Sequence, residues 1–270
     1  MKINSEYVTS HNEDPLITTI TINRPSAFNS LTPKMVLEIG NAISNAQISG
    51  SRAIILTGSG KAFCAGADVN YLERHYRDNQ ADSFQEFMND FISTLNIGVI
   101  RKIAESPIPV LASVNGIAAG AGVGLALACD VRIIAEDAGF VLAYSNLGIT
   151  PDAGVTYYLP RVVGLFKAIE LYHFNTRIDS SNAFDLGLVS KVTSAEDLPG
   201  AARSIAMKFA NGPTKAFHEA RRLFDGSFRN SLGKQLQLES EVFVQLTQTD
   251  DFSEGLRAFS SKEPPKFSGS

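Results

Sequence analysis

Two cysteines in 270 residues are too few for a disulfide scaffold, and Cys64 and Cys129 have no metal-ligand spacing. So low a thiol count fits a reducing, cytoplasmic compartment. The four histidines, His11, His75, His173 and His218, are scattered, read as surface or packing residues, and leave no metal to be expected. Positive charge is not in excess: 24 Lys and Arg against 28 Asp and Glu give a net charge of −4 and a pI near 5.6. That excludes the global basic field of a nucleic-acid binder. No run reaches about eighteen apolar residues, so no membrane span is expected. The opening "MKINSEYVTSHNEDP" has no apolar stretch of a secretory signal, and the closing "KFSGS" reads as no anchor or address.

What is present is an ordinary globular composition, 44% hydrophobic and 19% charged, long enough for one large core or a core with an appendage. "LITTITINR" alternates, with Leu16, Thr18, Ile20 and Ile22 on one face of a strand. In "LTPKMVLEIGNAISNA", Thr32 is a helix N-cap, Pro33 takes the first helical position, and Val36, Ile39, Ile43 and Ala46 recur at helical spacing. "RAIILTG", "PVLASVNG" and "DVRIIAE" read as buried strands, and residues 84–104 and "GVGLALAC" as helices. Phe84, Phe87, Met88, Phe91 and Leu95 form a helical stripe, as core or as the wall of an acyl pocket. Strand and helix alternate through residues 1–194, an α/β core whose ligand chemistry belongs at the carboxyl ends of the strands. Residues 195–270 read as a helical region built on "LPGAARSIAMKFANG", "PTKAFHEARRLFDG" and "LGKQLQLESEVFVQLTQ".

Two strands run into loops of small residues, "LTGSGKAFCAGADV" and "SVNGIAAGAGVGLALACD". Such loops let backbone approach a ligand closely, or simply turn tightly. "GAGVG" lacks the register of a dinucleotide fingerprint. One N–H from each loop could converge on a carbonyl oxygen as it becomes an oxyanion. Further on, "NLGITPDAGVTYYLP" carries a single acid, Asp152. Asp152 reads two ways: as a cap on the following helix or as a catalytic carboxylate. Val141, Leu142, Leu147, Val155 and Tyr158 are its apolar surroundings or plain core, and burial there raises a carboxyl pKa.

The segments "INRPSAFNSLTP", "GKAFCAGADV", "PVLASVNGIAAGAGVGLALACDVRI" and "LGITPDAGVTYYLPRVVG" resemble, in order and spacing, the enoyl-CoA hydratase/isomerase (crotonase) superfamily. The resemblance covers roughly residues 5–265 and implies a spiral of ββα units with a C-terminal helical trimerisation region. It implies acyl-CoA thioester substrates, coenzyme A being part of the substrate rather than a separate cofactor, and a homotrimer or dimer of trimers. It implies an oxyanion hole from the N–H groups of Ala67 and Ala121. It places coenzyme A contacts at Ser26, Ala27 and Phe28, at Ala65, Asp68 and Val69, and, from an adjacent subunit, at Phe259 and Lys262.

Hydratases of that family add water with two glutamates, and the matching positions here are Gly124 and Tyr144. Neither transfers a proton as a carboxylate does, so hydration is not expected. Asp152 matches the single acid of the family's isomerases, which shift a Δ3 double bond to Δ2 by carrying a proton from C2 to C4 through a dienolate. It also resembles the ring-type isomerases of phenylacetate breakdown. Other readings are a hydratase-like protein with little hydratase activity and a non-catalytic acyl-CoA-binding protein. Aryl-CoA dehalogenation would need a histidine that "STLNIGVIRKIAES" lacks, and Cys64 has no histidine partner in sequence.

Overall fold

The structure, a computed structural model, describes residues 3–78 and 80–270. Strands β1 (Ile3–Asn4), β2 (Val8–Asp14) and β3 (Ile17–Ile22) form an antiparallel edge. Thr18, Ile20 and Ile22 point inward from β3, as its alternation requires. Helix α1 (Pro33–Ile48) begins where Thr32 Oγ1 accepts the Met35 N–H, and it buries Val36, Ile39, Ile43 and Ala46. It leads to β4 (Ala53–Gly58) and β5 (Ala62–Cys64). Next come α2 (Val69–Asp78), α3 (Ala81–Leu95), a π turn over Asn96–Ile100 and α4 (Arg101–Ala104). The helix expected over residues 84–104 is therefore three segments that begin at Ala81. Of its stripe only Phe91 and Leu95 are buried. Phe84 and Phe87 meet the His75 ring from α2, at 4.0 Å between the Phe87 and His75 centroids.

Strands β6 (Val110–Val114) and β7 (Ile117–Ala119) precede α5 (Ala121–Ala128), and β8 (Val131–Ala135) and β9 (Gly139–Val141) follow. After a 3-10 turn over Tyr144–Leu147 come α6 (Val155–Val163) and α7 (Leu165–Phe174). Then come β10 (Ile178–Asp179), α8 (Ser180–Asp185), β11 (Lys191–Thr193), α9 (Leu198–Ala210), α10 (Thr214–Ser227), α11 (Leu232–Leu246) and α12 (Asp250–Ser261).

Two sheets organise these elements. The larger has the order β1-β2-β3-β4-β6-β8-β11, parallel from β3 onward; the smaller has β10-β9-β7-β5, with β5, β7 and β9 parallel. The pairs β4–β5, β6–β7 and β8–β9 each place one strand in each sheet and then enter a helix. The chain is thus a spiral of ββα turns, and all five residues of β6 are buried at its centre.

The C-terminal helices divide. α9 lays Leu198, Ala202, Ala206 and Ala210 against the large sheet and belongs to the core. α10, α11 and α12 stand further out, leaving Phe224, Phe228, Phe243 and Phe259 exposed. Arg221 latches α10 to the core: one guanidinium nitrogen meets Asp130 Oδ1 at 2.9 Å, and the other donates to the carbonyls of Ile103, at 2.6 Å, and Ala104. Both charged side chains are about four-fifths covered, so removing one strands the other. Arg221→Ala is expected to lower stability by about 2 kcal/mol in denaturant unfolding; a loss below about 0.5 kcal/mol would show the latch to be ornamental.

Candidate functional site

Three neighbouring parallel strands of the small sheet, β5, β7 and β9, end on the same edge. β5 pairs Cys64 with Ala118 of β7, and β7 pairs Ala119 with Val141 of β9. The residues just beyond these ends, Ala67, Ala121 and Tyr144, therefore come together although far apart in sequence.

Strand-like pairing aims the Ala67 N–H. Leu31 N–H donates to the Gly66 carbonyl at 2.7 Å and Asp68 N–H to the Leu31 carbonyl at 2.9 Å, a parallel bridge centred on Leu31 and Ala67. In such a bridge the N–H of the central residue points away from its partner strand. Ala121 is the first residue of α5, where an N–H has no intrahelical acceptor. The two loops touch. A side chain on Gly66, which has φ +81°, would put its Cβ 2.7 Å from the Ala119 oxygen and 3.3 Å from the Ala121 nitrogen. Both conformation and space therefore demand glycine there.

Asp152 does not cap α6. Gly154 holds the cap position without a side-chain bond, and the Asp152 backbone carbonyl accepts the Val155 N–H at 2.9 Å. The carboxylate faces inward instead, where Oδ1 accepts the Tyr144 hydroxyl at 2.7 Å. Burial pushes the Asp152 pKa up; the Tyr144 hydrogen bond and its own N–H pull it back, and the net shift is upward. Burial, then the Asp152 charge, drives the Tyr144 phenol far above its ordinary range, so it stays a donor. Tyr144 is 5% exposed, and its Cζ stands 4.0 Å from where a Cβ on Gly120 would lie. Its ring thus fills the gap between the oxyanion-type loop and Asp152.

Gly124 faces Ala153 so closely that a Cβ there would stand 2.3 Å from the Ala153 oxygen and 2.5 Å from its Cβ. The two flanks of the pair are strained: Ala143 has φ +63° and Ala153 φ +49°, left-handed values that cost an alanine about 1 kcal/mol or more each. The Asn175 side-chain oxygen accepts the Ala143 N–H at 2.7 Å and holds the first of them. Of the apolar neighbours read from the sequence, Leu142 and Val155 are buried, whereas Leu147 is 52% exposed. Leu142, Pro151, Val155, Leu159, Ala168 and Tyr172 help line an apolar cavity of about 190 Å³ between α6 and α7, which Pro151 borders and Asp152 itself does not line. Cys64 is buried and its thiol pushed up to about 12, mainly by burial, so it is not a nucleophile at neutral pH.

The residues matched to coenzyme A contacts separate into two groups. Ser26 and Ala27 lie in the 3-10 turn after β3, and the Phe28 carbonyl accepts the Ala65 N–H at 3.1 Å, so these four sit together. Val69 opens α2, half exposed beside them. Asp68 is largely committed: Arg24 binds Oδ2 at 2.6 Å and the Tyr71 N–H donates to Oδ1 at 3.0 Å. Burial raises its pKa, but the Arg24 and Tyr71 hydrogen bonds prevail and hold it low. Phe259 and Lys262 lie on and just after α12. Phe259 is 87% exposed, its ring left largely uncovered by its own chain. Among the described residues no three His, Cys, Asp or Glu side chains group as metal ligands, and no helix is long and apolar enough to cross a membrane.

The sequence marks Tyr144 as a position matched to a hydratase acid, but not as a partner of Asp152; that contact is made by the folded turn between them.

A ββα spiral whose adjacent strands run into two touching loops of small residues is the crotonase architecture. The solved structure of enoyl-CoA hydratase from Bacillus anthracis superposes with a TM-score of 0.89 at 34% identity, over 98% of this chain and all of that one. The model of the enoyl-CoA hydratase/isomerase family matches residues 13–270, and the chain belongs to that family. It is 38% identical over 250 residues to the "Probable enoyl-CoA hydratase" of Rhodobacter capsulatus, covering 93% of each chain. It is 33% identical over 268 residues to the 1,2-epoxyphenylacetyl-CoA isomerase of Escherichia coli, covering 98% of this chain and 99% of that one.

Proposed function

We propose that the chain is a one-base acyl-CoA isomerase that converts a 3-enoyl thioester into the 2-enoyl isomer. The observation that carries this reading is the site's acid content. Asp152 is its carboxylate, with a raised pKa, while the two positions matched to hydratase acids hold Gly124, pressed on Ala153, and the phenol Tyr144. A hydratase needs two proton-transferring groups around one water; moving a double bond needs one base that gives back what it takes. In this reading Asp152 removes a proton from C2, acidified by the thioester carbonyl. The electron pair shifts into a dienolate whose oxygen is held by the Ala67 and Ala121 N–H groups, and the proton returns at C4. The raised pKa suits a carboxyl that must be base and then acid.

Ser26, Ala27, Phe28, Ala65, Asp68 and Val69 are proposed to hold the coenzyme A portion, Asp68 through Arg24 and its backbone rather than a free carboxylate. The apolar cavity beside Pro151 takes the acyl group. Phe259 and Lys262 act in a homotrimer, which the exposed aromatic faces of α10–α12 favour. Light scattering should give a trimer or a multiple of it, and a stable monomer at micromolar concentration contradicts the assembly.

A second reading has its own support. The similarity to the E. coli 1,2-epoxyphenylacetyl-CoA isomerase makes a ring substrate a direct competitor for the linear one. Product analysis with 3-hexenoyl-CoA, 2-hexenoyl-CoA and the ring epoxide of phenylacetyl-CoA separates the two. The expected result is 2-hexenoyl-CoA from the first and negligible hydration of the second. Enzymatic hydration, on the order of 1 per second or faster, overturns the one-base reading, and turnover of the epoxide alone transfers it to the ring substrate.

A further inference from the structure

Tyr144 occupies a position matched to a hydratase acid, and the isomerisation outlined above gives it no step. Yet the chain invests in its placement. Its hydroxyl reaches Asp152 Oδ1 at 2.7 Å. The backbone that aims it passes through left-handed Ala143, pinned by the Asn175 side chain, and the backbone that aims Asp152 passes into left-handed Ala153. Two strained residues bracketing one hydrogen bond are a pattern found where geometry serves function.

We infer that Tyr144 is the positioning residue that divides the two oxygens of Asp152: its hydroxyl occupies Oδ1, so Oδ2 alone carries the proton between substrate carbons. The inference rests on Asp152 being the base. In the first half-step the C2–H bond breaks, an O–H bond forms at Oδ2, and the electron pair of C2–H enters the dienolate. In the second, that O–H bond breaks and a C4–H bond forms. Through both, the phenol keeps its proton and donates to Oδ1, which accepts as carboxylate oxygen and as acid carbonyl alike. The carboxyl therefore cannot turn its proton away to solvent between the half-steps.

The same hydrogen bond favours the ionised form of Asp152 and offsets part of the burial that disfavours it. Around the pair, Cys64 on β5 acts only weakly on Tyr144, and the groups that shift Asp152 are Tyr144 and its own N–H. Of the other titratable groups on packed elements, Tyr172 on α7 donates to the Ile149 carbonyl at 3.1 Å. Tyr158 lies on α6, raised to about 12 chiefly by burial, and His173 lines the neighbouring cavity.

The test uses the whole enzyme with 3-hexenoyl-CoA, followed as kcat/KM against pH and as transfer of deuterium from C2 to C4. Tyr144→Phe keeps the ring beside Gly120 and removes the donor. Its acid limb should move up by roughly one pH unit, the scale of one lost hydrogen bond to a charged group, and deuterium at C4 should fall at least about twofold. Placing 3-fluorotyrosine at 144 strengthens the donor in a side chain of nearly the same size, so the limb should move down; this variant decides the matter if the phenylalanine form does not fold. A limb or a deuterium transfer that stays at the wild-type value in Tyr144→Phe, or a limb unmoved by 3-fluorotyrosine, overturns the inference while leaving Asp152 as base. Asp152→Asn with near wild-type turnover overturns the underlying assignment instead.

Discussion

Asp152→Asn is expected to slow isomerisation by at least about 100-fold while leaving acyl-CoA affinity within a few-fold of wild type. The lower bound is the usual contribution of a positioned general acid–base. The amide oxygen can still accept the Tyr144 hydroxyl, so the packing around the ring is kept, but no group remains to take the C2 proton. The oxyanion donors proposed above are backbone N–H groups on other loops and are untouched. Folding should not suffer. A carboxyl whose folded pKa is raised contributes stability below its unfolded pKa, about 3.9, and loses it as pH rises through the folded value. At pH 7 the wild-type carboxylate is thus a cost, so the variant should melt at the same temperature or slightly higher. Isomerase rate, ligand affinity and melting temperature on one preparation form the test. A well-folded variant retaining more than about a third of the rate removes Asp152 from the chemistry.

Gly124→Ala should damage both fold and activity, although it adds one methyl group. The new Cβ would have to share space with the Ala153 oxygen at 2.3 Å and its Cβ at 2.5 Å, and the nearest of these is backbone that cannot rotate aside. Overpacking of this kind costs about 1–3 kcal/mol. The relief available is to push Ala153 outward, and Asp152 moves with it. A displacement near 1 Å at a catalytic group can cost about 100-fold in rate. Gly124→Glu, which restores an acid at the matched hydratase position, should therefore give an unstable protein and no hydratase. Calorimetry and turnover of the alanine form decide: wild-type melting with wild-type rate means the contact relaxes without consequence.

The small-residue segments were legible because their constraint is local. A loop that runs through φ +81° at Gly66 and φ +51° at Gly120 announces itself in the sequence, and so does the helix grammar of Thr32 and Pro33. The parallel strands β4, β6 and β8 were legible because each is a short, mostly apolar run, broken in β8 only by Arg132. The small sheet was not: β5, β7 and β9 are three residues each, too short for any period to register. β2, "VTSHNED", has almost no apolar alternation and is defined by its partner β3. α12 has a polar sequence with little apolar period to read, its start marked by Thr249 accepting the Phe252 N–H and by Asp250 and Asp251 in the first turn. The boundary drawn at residue 195 follows composition, whereas α9 follows its alanine face onto the sheet. In the site, Asp152 stood out as the single acid of an apolar stretch, but whether it capped a helix or faced inward depended on Tyr144, a contact made by the folded turn between them.

The spiral also sets how this chain can fold. Apart from the antiparallel edge, the neighbours in both sheets are joined through long crossovers: Ile54 waits for Val110, Ile133 for Lys191, Cys64 for Ala118. Each pairing closes a large loop before any sheet contact rewards it, the condition under which folding is slow and intermediates collect. No fragment ending before β7 can hold both Ala67 and Ala121, and none ending before Asp152 has the proposed base. Partly folded forms should therefore expose unpaired strand edges for long periods while being chemically silent. Recovery of activity after refolding should lag recovery of helical signal, and the lag should lengthen with protein concentration as those edges find one another.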